Sequence, residues 1–170
     1  MKSKEAIALF ARYLLLILIA LPGFSLFYWL FTPLTEYPAK WILESFYPTE
    51  WTASIILIPA CIAGGAYYLL LILNLATPMQ AGTRAKSIIF LILAFLALNI
   101  ARIVLFSVLY FEGAGYFSIA HKYTWLFGST ILVVLIWFAS VRLFKIRAIP
   151  AYTDLLSLFA EAKRKRAKKK

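Results

Sequence analysis

Four apolar stretches, each long enough to cross a bilayer, constrain this chain more than any other feature of its sequence. They cover about residues 6–31, interrupted by Arg12; 51–76; 87–111, apolar except for Asn99 and Arg102; and 118–142. A spanning helix needs about 20 apolar residues, so a chain of 170 residues is filled by four of them and leaves no room for a separate soluble domain. The composition agrees: 64% of the residues are hydrophobic and 15% charged, against about 25% charged in a soluble domain. Lipid offers backbone amides no partner, so the stretches must be helices that satisfy themselves. The expected fold is an all-α, polytopic membrane helical bundle of about four transmembrane helices. It occupies residues 1–148, and 149–170 form a basic cytoplasmic tail.

The connections have distinct characters. Residues 32–50 carry Pro33, Pro38 and Pro48 with Glu36, Glu44 and Glu50, and within them 39–47 suits a short helix lying in the interface. Residues 77–86, with Pro78, Gly82, Arg84 and Lys86, predict a tight basic turn. Glu112, Gly113, Ala114 and Gly115 end the third span. The first stretch exceeds the 7–15 residues typical of a signal-peptide core, so it is expected to be a retained helix.

Net charge is +11, and seven of the 18 basic residues are Lys163, Arg164, Lys165, Arg166, Lys168, Lys169 and Lys170. Beside a membrane such a run is an anchor for anionic lipid rather than a nucleic-acid site. Leu155, Leu156, Leu158 and Phe159 next to it suit a membrane-surface helix. The opposite loops carry only Lys40 and Lys122. The positive-inside rule therefore places both termini in the cytoplasm of a multi-pass cell-membrane protein.

The informative residues are those that lipid should reject. Arg102 is nine residues inside the outer end of its span, about 13 Å deep at the helical rise, where an arginine needs a partner or a cavity. Asn99 is one turn earlier on the same face. Cys61, the single cysteine, falls at the same level on the second span, in a run of small residues that permits close helix approach. Pro59 predicts a kink just outside it. His121, the only histidine, starts the fourth span and reaches toward the same outer half. A thiol beside an arginine and a histidine is suited to nucleophilic chemistry. Against this stand plainer roles: Cys61 as a packing residue, Asn99 as interhelical glue, His121 as an interface residue. Arg12, Arg84 and Arg142 suit cytoplasmic-edge anchors. No phosphate-binding loop, metal-ligand cluster, membrane carboxylate or G-x-S-x-G turn is present, so neither a metal nor another cofactor is expected.

The Pro59, Ala60, Cys61, Ile62, Ala63, Gly64 segment, the Arg84 turn, the motif from Asn99 to Val104 with Arg102 lying 41 residues after Cys61, and His121 beyond a glycine-bearing loop make up a pattern. It resembles that of the exosortase/archaeosortase membrane transpeptidases, in a compact, archaeal-type version, over about 51–142. The resemblance implies cleavage of C-terminal sorting signals of secreted proteins and transfer of the new C-terminus to a lipid or other acceptor. It implies Cys61 as nucleophile, His121 as acid and base, and Arg102 as fixed positive charge, with Asn99 orienting Arg102 or binding the peptide. It also allows Arg142 in place of His121, although the cytoplasmic edge is the wrong level. The competing expectation is a non-enzymatic membrane scaffold or assembly subunit in which Arg102 and Asn99 stabilise helix packing.

Overall fold

The computed structural model describes residues 3–21 and 25–167, and all of its regular elements are helical. In chain order they are α1 (Ser3–Ala20), α2 (Ser25–Glu44), α3 (Thr49–Ala53), α4 (Pro59–Ile62), α5 (Gly64–Leu75), α6 (Ala81–Phe111), α7 (Phe117–Tyr123), a π-helical turn (Thr124–Gly128), α8 (Ser129–Leu143) and α9 (Tyr152–Ala167). Lys2, Lys168, Lys169 and Lys170 of the expected anchors lie outside the described residues, as do the side chains of Lys163, Arg164, Lys165 and Arg166.

Among the described residues two helices are long and apolar enough to cross a membrane, Ala81–Phe111 and Phe117–Leu143. A third is reached if α1 and α2 count as one broken span, and Pro59–Leu75 is apolar but shorter. The expected first span, 6–31, is not one helix: α1 and α2 are bent by 76°. Nor is 39–47 a separate interfacial helix. Its first six residues complete α2, which runs through Pro33 and Pro38. Membrane helices tolerate such prolines when neighbours re-satisfy the freed backbone.

The larger departure is in 51–76, where one helix was expected. After α3 the chain runs in non-helical conformation over 55–58, re-enters a single turn as α4, and breaks again at Ala63 before α5. Pro59 is the first residue of α4, where a missing amide costs nothing. It forces the preceding Ile58 into extended backbone (ψ 160). The break expected just outside Cys61 is thus the non-helical run 55–58, and a second break follows Cys61 at Ala63, which adopts the left-handed region (φ 56, ψ 45).

Packing follows a four-residue stripe on both α2 and α6. Phe27, Phe31, Thr35, Ala39 and Leu43 are buried on α2, and Ser87, Leu91, Phe95, Asn99 and Ile103 on α6. Side chains four apart stack on one face, and these faces pack together, with α5 and α8 completing the core. Tyr67 of α5 is its centrepiece, stacked on Phe31 at 3.8 Å between ring centroids and edge-on to Phe95 at 4.7 Å. Lower in the bundle Asn74 donates to Ser87 at 2.8 Å, and the Ser87 and Ser140 hydroxyls are 2.8 Å apart, a polar thread joining α5, α6 and α8.

Two of the expected edge anchors have interior partners. Arg12 donates to both carboxylate oxygens of Asp154 at 2.9 and 2.8 Å and to the Leu75 carbonyl at 3.4 Å, fastening α9 to α1 and α5. Arg84 donates to the carbonyls of Asn74 at 2.7 Å and Thr77 at 2.9 Å, closing the C-terminal end of α5.

Candidate active site

The site begins with the break at Ala63. A helix that stops after one turn leaves its last carbonyls without amide partners, and Cys61 and Ile62 are in that position. Two side chains of α6, one turn apart, reach them. Asn99 Nδ2 donates to the Cys61 carbonyl at 3.1 Å and the Ile62 carbonyl at 3.5 Å. Arg102 Nη2 donates to the Cys61 carbonyl at 2.9 Å, while its Nη1 donates to the Ser129 hydroxyl at 2.9 Å. The guanidinium thus spans from the Cys61 turn to the start of α8.

Cys61, Arg102 and His121 line one cavity of about 450 Å³, together with residues 55–58, Phe106, Phe111, Phe117 and Thr124. His121 lies on α7, exposed, with its ring stacked on Phe117 and edge-on to Phe106, each at 5.4 Å between centroids. Its contacts are with these rings, and no hydrogen bond joins it to Cys61. At the rim Tyr47 and Trp51 pack on Phe111 at 5.0 and 5.6 Å, and the Tyr47 hydroxyl donates to Glu112 at 2.8 Å. That bond to a carboxylate raises the phenol above its ordinary pKa, because ionising it would lose the donor and set two anions side by side.

Three of the four residues singled out from the sequence therefore share a cavity wall. Asn99 does not. It is fully buried behind Cys61, and its Oδ1 has no partner among the described residues. Its hydrogen bonds go to the backbone of the cysteine turn, which Arg102 also reaches. Arg142 is in the last turn of α8 and is not part of the cavity wall.

Sequence reasoning missed Ser129, the second partner of Arg102. A serine at the edge of an apolar span carries no pattern of its own, and only its place one helix away from an arginine gives it meaning. It also missed residues 55–58, whose contribution is backbone. Among the described residues no group of three or more His, Cys, Asp or Glu side chains is placed to hold a metal ion. The chain matches no family model, no curated protein and no solved structure.

Proposed function

We propose that the chain is a membrane-embedded cysteine transpeptidase or protease that acts on C-terminal sorting signals of secreted proteins. The observation that carries this reading is the common cavity: a thiol, a guanidinium and an imidazole, from three separate helices, bordering a space large enough for a peptide. The resemblance of the Cys61, Asn99, Arg102 and His121 pattern to the exosortase/archaeosortase family supports the same chemistry.

In this mechanism the Cys61 proton passes to His121, and the sulfur attacks the scissile carbonyl to give a tetrahedral intermediate. Its collapse breaks the carbon–nitrogen bond, His121 returns the proton to the leaving amine, and a thioester remains on Cys61. The hydroxyl of a lipid or other acceptor, or water, then attacks the thioester. Its proton goes to His121 and on to the departing sulfur, which restores the thiol. Arg102 supplies positive charge beside the thiolate and the developing oxyanion, an effect enlarged where water is scarce. Asn99 and Ser129 act as positioning residues, through the Cys61 carbonyl and through Arg102. The substrate helix lies along the bundle with its motif at the outer face.

A second reading, the non-enzymatic scaffold, is favoured by one specific observation: both terminal nitrogens of Arg102 already have protein partners. One experiment separates the two. In membranes co-expressing a secreted protein with a motif, apolar helix and basic tail, Cys61→Ser is expected to abolish processing with folding and insertion unchanged. A hydroxylamine-sensitive adduct is expected to accumulate on wild-type Cys61. Continued processing by Cys61→Ser overturns the nucleophile assignment.

A further inference from the structure

Residues 55–58 form a wall of the cavity immediately before the Cys61 turn. They are bounded by short helices on either side, and exposure alternates along them, with Ile56 and Ile58 out and Ile55 and Leu57 half-buried. The Ile55 amide is bonded back to Thr52, and the Ile58 carbonyl accepts from the Cys61 amide. Between those bonds the amides of Ile56 and Leu57 and their carbonyls have no protein partner among the described residues. Non-helical backbone at membrane depth is tolerated only against protein or a wet cavity. Ile58 is extended (φ −79, ψ 160), and a non-helical run with unpaired main-chain groups leading into it is a template for a second strand.

We infer that residues 55–58 are a strand-addition site: a stretch of substrate main chain pairs with the amide and carbonyl of Ile56 or of Leu57, whichever faces the cavity, since successive residues of a strand turn these groups to opposite edges, and is thereby laid against Cys61. The inference rests on reading the cavity as a peptide-cleaving site and names how the peptide is held. Charge narrows the occupant. The cavity wall carries Arg102 and His121 and no acidic side chain, so it accepts a peptide that is neutral or acidic next to the scissile bond and disfavours one with Lys or Arg there. Because main-chain pairing is blind to side chains, specificity comes from alternate positions facing the wall.

The test uses the full-length chain in lipid nanodiscs and a blocked alanine–threonine peptide chloromethyl ketone. Its carbonyl takes the scissile position, and Cys61 sulfur displaces chloride while the thiol proton passes to buffer. Strand addition predicts that Cys61 is alkylated at least about tenfold faster by this reagent than by chloroacetone, the gain expected of one or two main-chain hydrogen bonds. Methylating the peptide amides one at a time should remove the advantage at every second position and spare the others. One of Ile56→Pro and Leu57→Pro should lose it and the other keep it, and Ile56→Ala and Leu57→Ala should keep most of it. In each variant the advantage is read as the ratio of the peptide-reagent rate to the chloroacetone rate; loss in both proline variants or in neither overturns the site. A proline variant that fails to fold announces itself by an altered chloroacetone rate, and the methylation scan on the wild type then decides. No advantage for the peptide reagent, or an effect of methylation that does not alternate, overturns the site. An alternating scan in a protein that processes no sorting-signal tail leaves the strand site standing and removes the transferase reading.

Discussion

Arg102 joins two helices through one rigid fork, donating to the Cys61 carbonyl and to Ser129. Lysine keeps the charge but offers a compact ammonium that does not reproduce that planar reach. Arg102→Lys is therefore expected to lose about a hundredfold or more in kcat for tail processing, the scale of losing a preorganised oxyanion donor. Ser129→Ala removes one neutral partner, at about 1 kcal/mol, and should slow processing only about fivefold. Equal effects of the two would show that charge placement is not what the fork provides. Ala63 makes a second case at this scale, since a side chain with φ 56 is in the region glycine prefers. Ala63→Gly should fold and process at least as well as the wild type. Ala63→Val, whose branched side chain resists that backbone, should be at least about 1 kcal/mol less stable than the glycine variant in thermal unfolding.

The helices around the cavity are irregular where they border it, and the run from Phe117 to Leu143 is an example. Its π-helical turn, Thr124–Gly128, separates α7 from α8 and puts Thr124 on the cavity wall. Gly128 permits this: a β-carbon there would meet the Thr124 Cγ2 methyl at 2.8 Å, closer than carbon atoms approach. Gly128→Ala should thus displace Thr124 and lower processing several-fold, and adding Thr124→Ser, which deletes that methyl, should restore it. No recovery in the double variant would mean the glycine serves the backbone instead. Hydropathy made α6 and the fourth span legible, because a long uninterrupted apolar run has few other outcomes. It could not reveal the break over 55–58, since a row of isoleucines and leucine is as apolar extended as helical. The local clue was Pro59, which excludes helix at Ile58 rather than after Cys61. Cys61, Arg102 and Asn99 were legible because lipid penalises or isolates such groups. Ser129 and the free amides of Ile56 and Leu57 were not, because their roles exist only once α4, α6 and α8 are assembled.

Across the whole molecule, two polar assemblies lie at opposite ends of α6, whose 31 residues extend about 46 Å. Near its start Arg12 and Asp154 tie α9 to α1, with side chains only 13% and 9% exposed, and the Ala151 amide donates to the Ala76 carbonyl at 2.7 Å. Removing one member of a largely buried ion pair costs up to about 3–5 kcal/mol, whereas replacing both by apolar residues is often neutral; Asp154 also accepts from the Tyr13 hydroxyl at 3.4 Å. Arg12→Leu and Asp154→Leu should therefore each lower the thermal midpoint in detergent, and the double variant should recover most of the loss. Strict additivity would mean that the pair is not the latch. The same end carries Arg84 and Lys86, while Tyr47 and Glu112 meet at the other end. Lysine and arginine near span ends are retained on the cytoplasmic side during insertion, and that rule predicts a cavity on the exterior side. In a Cys61→Ala background, Gly115→Cys should then react with a membrane-impermeant maleimide in intact cells, and Gly82→Cys, where a side chain meets nothing within 4 Å, only after lysis. The reverse labelling would put Cys61 on the cytoplasmic side, out of reach of a secreted substrate whose motif has already crossed the membrane.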